Sequence, residues 1–370
     1  MNQIKQTSIQ VAELANGQTM SIPVFTVGDR NSGPHVYIQA NMHGAEVQGN
    51  AVIYALLEKL KTVRLSGSIT LVPYANPIGC NQKSGEFTLG RFDPITGENW
   101  NRMYHDHTHL VEEFAIHHTA SSEQEIRSEF KKLLIEKTDE LLNQPLHTMK
   151  TGKRIAVNLQ RLAHEADFVL DLHTGPISSK HLYCPEYAQT SAGYFNIPHT
   201  LLIPNEFGGA MDEACFCPWW TLSETLKKHG KQFDVLNEAF TVELGSQEHI
   251  DLSEAQLDAD SILSYLSHKE VILEGRYQPS SIKRYACYLK DYKTFYAPMG
   301  GMVEYVAPLG GHIKAGETLV NILRMDKYVQ GVALNPIKFE HDAIAILHFA
   351  SASVNQGTEL YSLFTNYFEL

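Results

Sequence analysis

Several features that would assign the chain to a membrane, to nucleic acid or to the outside of a cell are missing. No apolar run approaches the ~20 residues needed to cross a bilayer. Residues 1–10 contain no apolar core of a secretory signal, so none is expected. There is no basic excess: 42 acidic residues against 30 Lys and Arg give a formal net charge of −12. Binding to nucleic acid needs a positive field, so that class of partner is excluded, as is a membrane partner. An anionic small molecule is not excluded, because a few buried arginines can reverse the potential locally. Cysteine is sparse, with five at positions 80, 184, 215, 217 and 287. An odd number without a framework points to reduced thiols and a cytoplasmic location. Cys215 and Cys217 are one residue apart and lack the second ligand pair of a structural zinc site, so they read as core or loop thiols.

What is present is ordinary for a folded protein: 370 residues, 43% hydrophobic and 19% charged. The length exceeds what one core usually serves, so two units are expected. Residues 7–27 alternate apolar and polar positions around Asn16-Gly17, a hairpin signal. His35–Ala40, Ile69–Tyr74, Ala166–Leu172, Thr200–Pro204 and Ala239–Leu244 read as strands. Helical spacing is found in Glu46–Leu60, Glu123–Asn143 and Ser253–Lys269, the last with Ser253 and Gln256 at capping-box spacing. Strands alternating with helices predict an α/β fold over residues 1–275, a mixed sheet with helices on both faces.

From residue 276 to 370 the pattern changes to short strand-like runs and Gly/Pro turns. Ile313–Leu319 and Val354–Leu360 share a turn pattern around Gly316 and Gly357, and each follows a strand-like run. A hairpin unit used twice predicts a small all-β sandwich. A carrier module would present a lysine at a hairpin tip between methionines. Met325-Asp326-Lys327 lacks that arrangement.

The strongest chemical signal is Asn41-Met-His43-Gly44-Ala-Glu46, where a strand ends and a helix begins. Ligands gather at the carboxyl ends of strands in such sheets. His43 and Glu46 are three apart, so a tight turn aims both at one point, and Gly44 permits an unusual backbone there. Catalytic zinc keeps three protein ligands and one open position. His173, in Asp171-Leu-His173-Thr-Gly at another strand end, supplies the third. Asp171 points the same way and can orient the ligating ring. Two histidines and a carboxylate suit one zinc ion per chain, although manganese, iron or cobalt accept the same set.

Glu243, near the end of an apolar strand, is either a salt-bridged strand-end residue or a general base. Arg91 and Arg102 flank a turn-rich loop and are either solvated or poised to bind a carboxylate.

Taken in order, His43-x-x-Glu46, Arg91 followed by Asn101-Arg102, Asp171-Leu-His173 and Val242-Glu243-Leu-Gly resemble the aspartoacylase and succinylglutamate desuccinylase family, a branch of the zinc carboxypeptidase clan. The resemblance spans nearly the whole chain. It implies that residues 1–275 form a zinc-dependent catalytic domain and that residues 276–370 form a C-terminal β-sandwich of biotinyl/lipoyl-like shape. It further implies that His43, Glu46 and His173 hold zinc, that Glu243 is the general base and that Arg91 polarises the scissile carbonyl. Asn101 and Arg102 are then the pair that binds the substrate carboxylate. The implied reaction is hydrolysis of the amide bond of a small N-acyl amino acid. A metallocarboxypeptidase acting on short peptides or cell-wall fragments is the alternative, and a zinc-binding protein without activity is a third. A homo-oligomer is compatible with the sequence, which does not set the state.

Two further groups stand out. His105, His107 and His109 alternate beside the arginine loop, as a strand would place them on one face, and read as a polar rim near the pocket rather than as a second metal site. Asp212 and Glu213 follow Gly208-Gly209. They either recognise a cationic group on the substrate or begin a helix in solvent, where acidic residues favour the dipole. Trp219 and Trp220 read as core.

Overall fold

The computed structural model describes residues 1–275 and 277–370. Arg276, the first residue of the expected second unit, lies outside them. Among the described residues a 10-stranded mixed sheet forms the centre. Its strands are β1 (Ile4–Glu13), β2 (Thr19–Gly28), β3 (His35–Ala40), β4 (Ser68–Val72), β5 (Phe168–Gly175), β6 (His181–Pro185), β7 (His199–Ile203), β8 (Glu238–Ser246) and β9 (Tyr285–Tyr288), with Tyr367–Glu369 at the far edge. Across the sheet the order is β1-β2-β4-β3-β5-β8-β6-β7-β9, then Tyr367–Glu369. β1 and β2 form the hairpin expected around Asn16-Gly17, and Gly17 takes φ 81° in its turn. At the centre β3 runs parallel to β4 and β5, and β5 parallel to β8. Parallel neighbours need crossovers, and helices supply them: α1 (Gln48–Leu60), α2 (Glu123–Leu142), α3 (Thr151–Ala163), α4 (Met211–Lys228) and α5 (Leu252–His268).

Alternation along the central strands sorts their side chains between two layers. Val36, Ile38, Leu170, Leu172, Phe240 and Val242 pack with residues of α1 and α5. Tyr37, Val169 and Ala239 face the other way, with α3 and α4. That second face also carries Gln39, Asp171, His173, Thr241 and Glu243, the polar residues that interrupt otherwise apolar strands. The register aligns them in rungs: Gln39 beside Asp171, Asp171 beside Thr241, and His173 beside Glu243.

Some local expectations are corrected. α5 is capped by Asp251, whose carboxylate accepts from the N–H groups of Ser253 and Glu254 at 2.8 and 3.0 Å; Ser253 itself lies inside the helix. α3, α4 and β6 carried no clear signal. α4 continues through Pro218. Trp219 is buried against Phe130, edge to face at 5.0 Å, and Trp220 stacks on Tyr187.

Beyond Leu289 the chain forms short strands in two further sheets. The two repeat copies both cross between these sheets, in opposite senses. Ile313 pairs with Ala343 in one sheet and Thr318–Leu323 lies in the other, whereas Val354 pairs with Gly301 in the second and Glu359–Phe364 lies in the first. Gly316 and Gly357, with φ 86° and 84°, make the equivalent turns. Met325–Gln330 is a short 3-10 helix. The expected division at 275/276 is crossed by hydrogen bonding. Tyr285–Tyr288 and Tyr367–Glu369 belong to the central sheet, and Ile177–Ser178 pairs with Ala343–His348.

Candidate metal and catalytic site

Between the end of β3 and the start of α1, a turn closes with the Glu46 N–H donating to the His43 carbonyl at 3.2 Å. The unusual backbone is at Asn41, with φ 64°, and not at Gly44. Asn41 compensates by donating its side-chain N–H groups to the carbonyls of His43 and Gly44 at 2.9 and 3.2 Å. The Cys80 thiol donates to its Oδ1 at 2.7 Å. Gly44 is needed for a different reason: a Cβ there would overlap the Gly79 carbonyl. The Gly44 N–H donates to the Gly90 carbonyl at 2.8 Å, which ties the turn to the start of the Arg91–Arg102 loop.

His43, Glu46 and His173 converge. Their ligand atoms lie within 4.8 Å of one another and all three residues are buried. Glu46 Oε1 lies 2.9 Å from His43 Nδ1, and Oε2 lies 2.7 Å from His173 Nδ1. Each ring is oriented from its far side. His43 Nε2 donates to Asn99 Oδ1 at 2.8 Å, and His173 Nε2 donates to Asp171 Oδ2 at 2.9 Å. Those bonds turn both Nδ1 atoms toward the carboxylate, where a metal would take their lone pairs. Burial favours a neutral Glu46, but His43 and His173 outweigh it and hold the carboxyl well below its usual range. Burial likewise opposes a charge on His173, but Asp171 and Glu46 raise its pKa well above the usual value. The cluster therefore demands positive charge at its centre, and a divalent cation fits the donor set.

A cavity of about 230 Å³ opens onto these groups and is also lined by Arg91, Asn101, Arg102, Asp212 and Glu243. Glu243 Oε2 is buried and accepts no hydrogen bond from the protein. Burial, reinforced by the charge of Glu46, pushes the Glu243 carboxyl up to about 7. Arg91 donates to Glu46 Oε1 at 2.8 Å. Asn101 Nδ2 lies 3.2 Å from His173 Nε2. Both atoms are donors when the ring gives its proton to Asp171. Asn101 Oδ1 is buried and has no hydrogen-bond partner among the described residues. Arg102 Nη1 donates to the Asn101 carbonyl at 2.7 Å.

Residues 32–148 and 136–269 match the succinylglutamate desuccinylase/aspartoacylase catalytic domain. The chain belongs to the succinylglutamate desuccinylase/aspartoacylase family. A succinylglutamate desuccinylase/aspartoacylase family protein from Shewanella amazonensis SB2B is 55% identical, with a TM-score of 0.96, covering 99% of this chain and 100% of its own. A second, from Shewanella frigidimarina NCIMB 400, is 54% identical with the same TM-score, over 100% of this chain and 99% of its own. The fold extends to a protein of this name from Rhodobacter sphaeroides at 16% identity and TM-score 0.65, over 99% and 95% of the two chains. No curated protein matches. Members of the family are amide hydrolases acting on small N-acyl amino acids. No helix among the described residues is long and apolar enough to cross a membrane.

Within this family fold, the other singled-out groups divide. His105, His107 and His109 do not alternate on a strand: they lie in a loop and a short 3-10 turn, at the end of α3 rather than in the cavity. Their rings cluster, with centroids 4.8 Å apart for His105 and His107, and His164 of the segment after α3 lies 5.4 Å from His107. Among the described residues their nitrogens do not converge as a metal triad does. Asp212 and Glu213 begin α4, but Asp212 is buried in the cavity wall rather than solvated. Asn99, Asn41, Gln39 and Tyr183 also serve the site or line it. Asn99 was findable, since it lies inside the arginine loop. Nothing local marks the other three.

Proposed function

We propose that this family member is a zinc-dependent amidohydrolase that removes the acyl group from a small N-acyl amino acid. The observation that carries this reading is one cavity holding the His43–Glu46–His173 cluster and, beside it, the unpartnered Oε2 of Glu243. His43, Glu46 and His173 would hold one zinc ion, with Asp171 orienting His173. Bound there, zinc would acidify a water and polarise the acyl carbonyl.

The chain's own groups do the rest. Glu243 Oε2 takes a proton from the attacking water and later delivers it to the leaving nitrogen, a role that suits a carboxyl with a pKa near neutrality. Arg91 donates to the acyl oxygen as charge builds on it. Asn101 and Arg102 grip the α-carboxylate and fix the amide relative to Glu243. The part of the C-terminal unit that follows Leu289 acts as a β-sandwich of biotinyl/lipoyl-like shape that narrows the approach, a reading supported by Leu289, just before it, in the cavity lining. The five unpaired cysteines support work in a reducing cytoplasm.

Turnover of N-acetyl and N-succinyl amino acids, measured beside short peptides with zinc-loaded and chelator-treated protein, tests the proposal. Zinc-dependent release of amino acid from the acyl derivatives is expected. Release from peptides alone would replace this reading with a metallocarboxypeptidase.

A further inference from the structure

Asp212 shares the cavity with the metal cluster, and its surroundings determine what it can bind. It is the second residue of α4 and is 2% exposed. Its Oδ1 accepts from the backbone N–H of Glu213 at 2.9 Å, and its Oδ2 accepts from the Thr241 hydroxyl at 3.0 Å. Each carboxylate oxygen has two acceptor positions, so one remains on each. Glu213 differs. Its Oε2 is used within the chain, accepting from the N–H groups of Gly208 and Ala210 at 2.7 and 3.0 Å.

Strand register sets the depth of Asp212. Thr241 stands opposite Asp171 and Tyr183, while Glu243 stands opposite His173 and His181. Thr241 and Glu243 project from the same face of β8, two residues and about 6.8 Å apart. Asp212, bonded to Thr241, therefore sits one pleat below Glu243, on the floor of the cavity.

The charge balance at that floor is incomplete. Arg91 is paired with Glu46, and Arg102 donates to the Asn101 carbonyl. Among the described residues Asp212 makes no ion pair. Its donors are a hydroxyl and one amide, and the positive end of α4 adds to them. A buried carboxylate compensated so weakly is costly, and an Asn or Ser would serve a helix start as well. Burial, reinforced by the charges of Glu213 and Asp171, pushes the Asp212 carboxyl up to about 7, and a cationic group on a ligand entering the cavity would favour the ionised form.

We propose that Asp212 is a specificity-determining residue that receives the cationic side chain of an N-acyl basic amino acid, while Asn101 and Arg102 hold its α-carboxylate. The inference rests on the amidohydrolase reading. It separates this chain from a hydrolase of dicarboxylic amino acids, whose second carboxylate would meet Asp212 with like charge.

Binding is read by calorimetry on zinc-loaded Glu243→Gln protein, so that affinity is measured whether or not the amide is cleaved. The ligands are Nα-acetyl-ornithine, its uncharged analogue Nα-acetyl-norleucine, and Nα-acetyl-glutamate. The ornithine derivative is expected to bind about 10- to 100-fold more tightly than the norleucine derivative, the scale of a charge-assisted hydrogen bond. Asp212→Asn should reduce that preference to near parity. Equal affinities in the Asp212 protein, tighter glutamate, or no binding of the ornithine derivative overturns the inference, and this comparison needs no Asp212 variant to fold. Failure of the amidohydrolase reading shows separately, as absent turnover of every acyl amino acid by the unsubstituted enzyme.

Discussion

Asp171 and His173 lie two residues apart on β5 and are joined by a 2.9 Å hydrogen bond from the ring Nε2 to Oδ2. Alternate strand residues share a face, so the sequence spacing itself produces the contact. The bond fixes the ring and leaves Nδ1 directed at Glu46. Asp171 is in turn held by Gln39, whose Nε2 donates to its Oδ1 at 2.9 Å. Asp171→Asn should therefore weaken zinc binding about 10- to 100-fold, as loss of a partner to a ligating histidine commonly does. Competition with a chromophoric chelator measures it. Unchanged affinity would mean that the ring is positioned by other contacts.

Asn41 carries a left-handed backbone and spans the turn with its amide. Replacement by Ala removes both the tolerance and the hydrogen bonds. A loss of about 1–3 kcal/mol in urea unfolding is expected, with weaker metal binding. Asn41→Gly keeps the backbone freedom and loses only the amide, so it should be the milder of the two for stability. If Ala is as benign as Gly, strain at this position does not matter.

Much of this site could be read from the chain, for a physical reason. The central strands are buried on both faces, so any ionisable residue in them is conspicuous, and Asp171, His173 and Glu243 stand out against apolar neighbours. His43 and Glu46 stand out through their spacing at a strand end. Asn41 could not be picked out, because its role depends on a carbonyl geometry that exists only once the turn forms. Asp212 reads locally as an acidic helix start. Only the packing of α4 against β8 buries it. The same limit explains the cap of α5, where Asp251 and Ser253 are both acceptable N-cap residues.

The histidine cluster near α3 should make stability fall in acid. Burial, reinforced by His105 and His109, pushes His107 down to about 3 from an ordinary 6.5, and burial moves His164 in the same direction. The unfolded chain binds protons at these positions below about pH 6.5 and the folded chain does not. For His107 the stabilisation is therefore complete above that pH and is lost as pH falls toward 3, at about 1.4 kcal/mol per unit, and His164 acts in the same direction. His107→Gln can keep a hydrogen bond to Thr138, which His107 Nε2 meets at 2.9 Å, and removes the titration. Thermal midpoints between pH 7 and pH 4.5 should fall less steeply in that variant. Identical slopes would remove His107 from the effect.

The most direct measurement joins the metal cluster to the carboxylate beside it. Glu243→Gln preserves the shape of the side chain but cannot carry a proton. Metal content and kcat, determined on the same preparation, should show one zinc per chain as in the parent and a kcat reduced by about 10²–10⁴ or more, the usual scale for a lost general base. Turnover near the parent value with zinc in place would contradict the account.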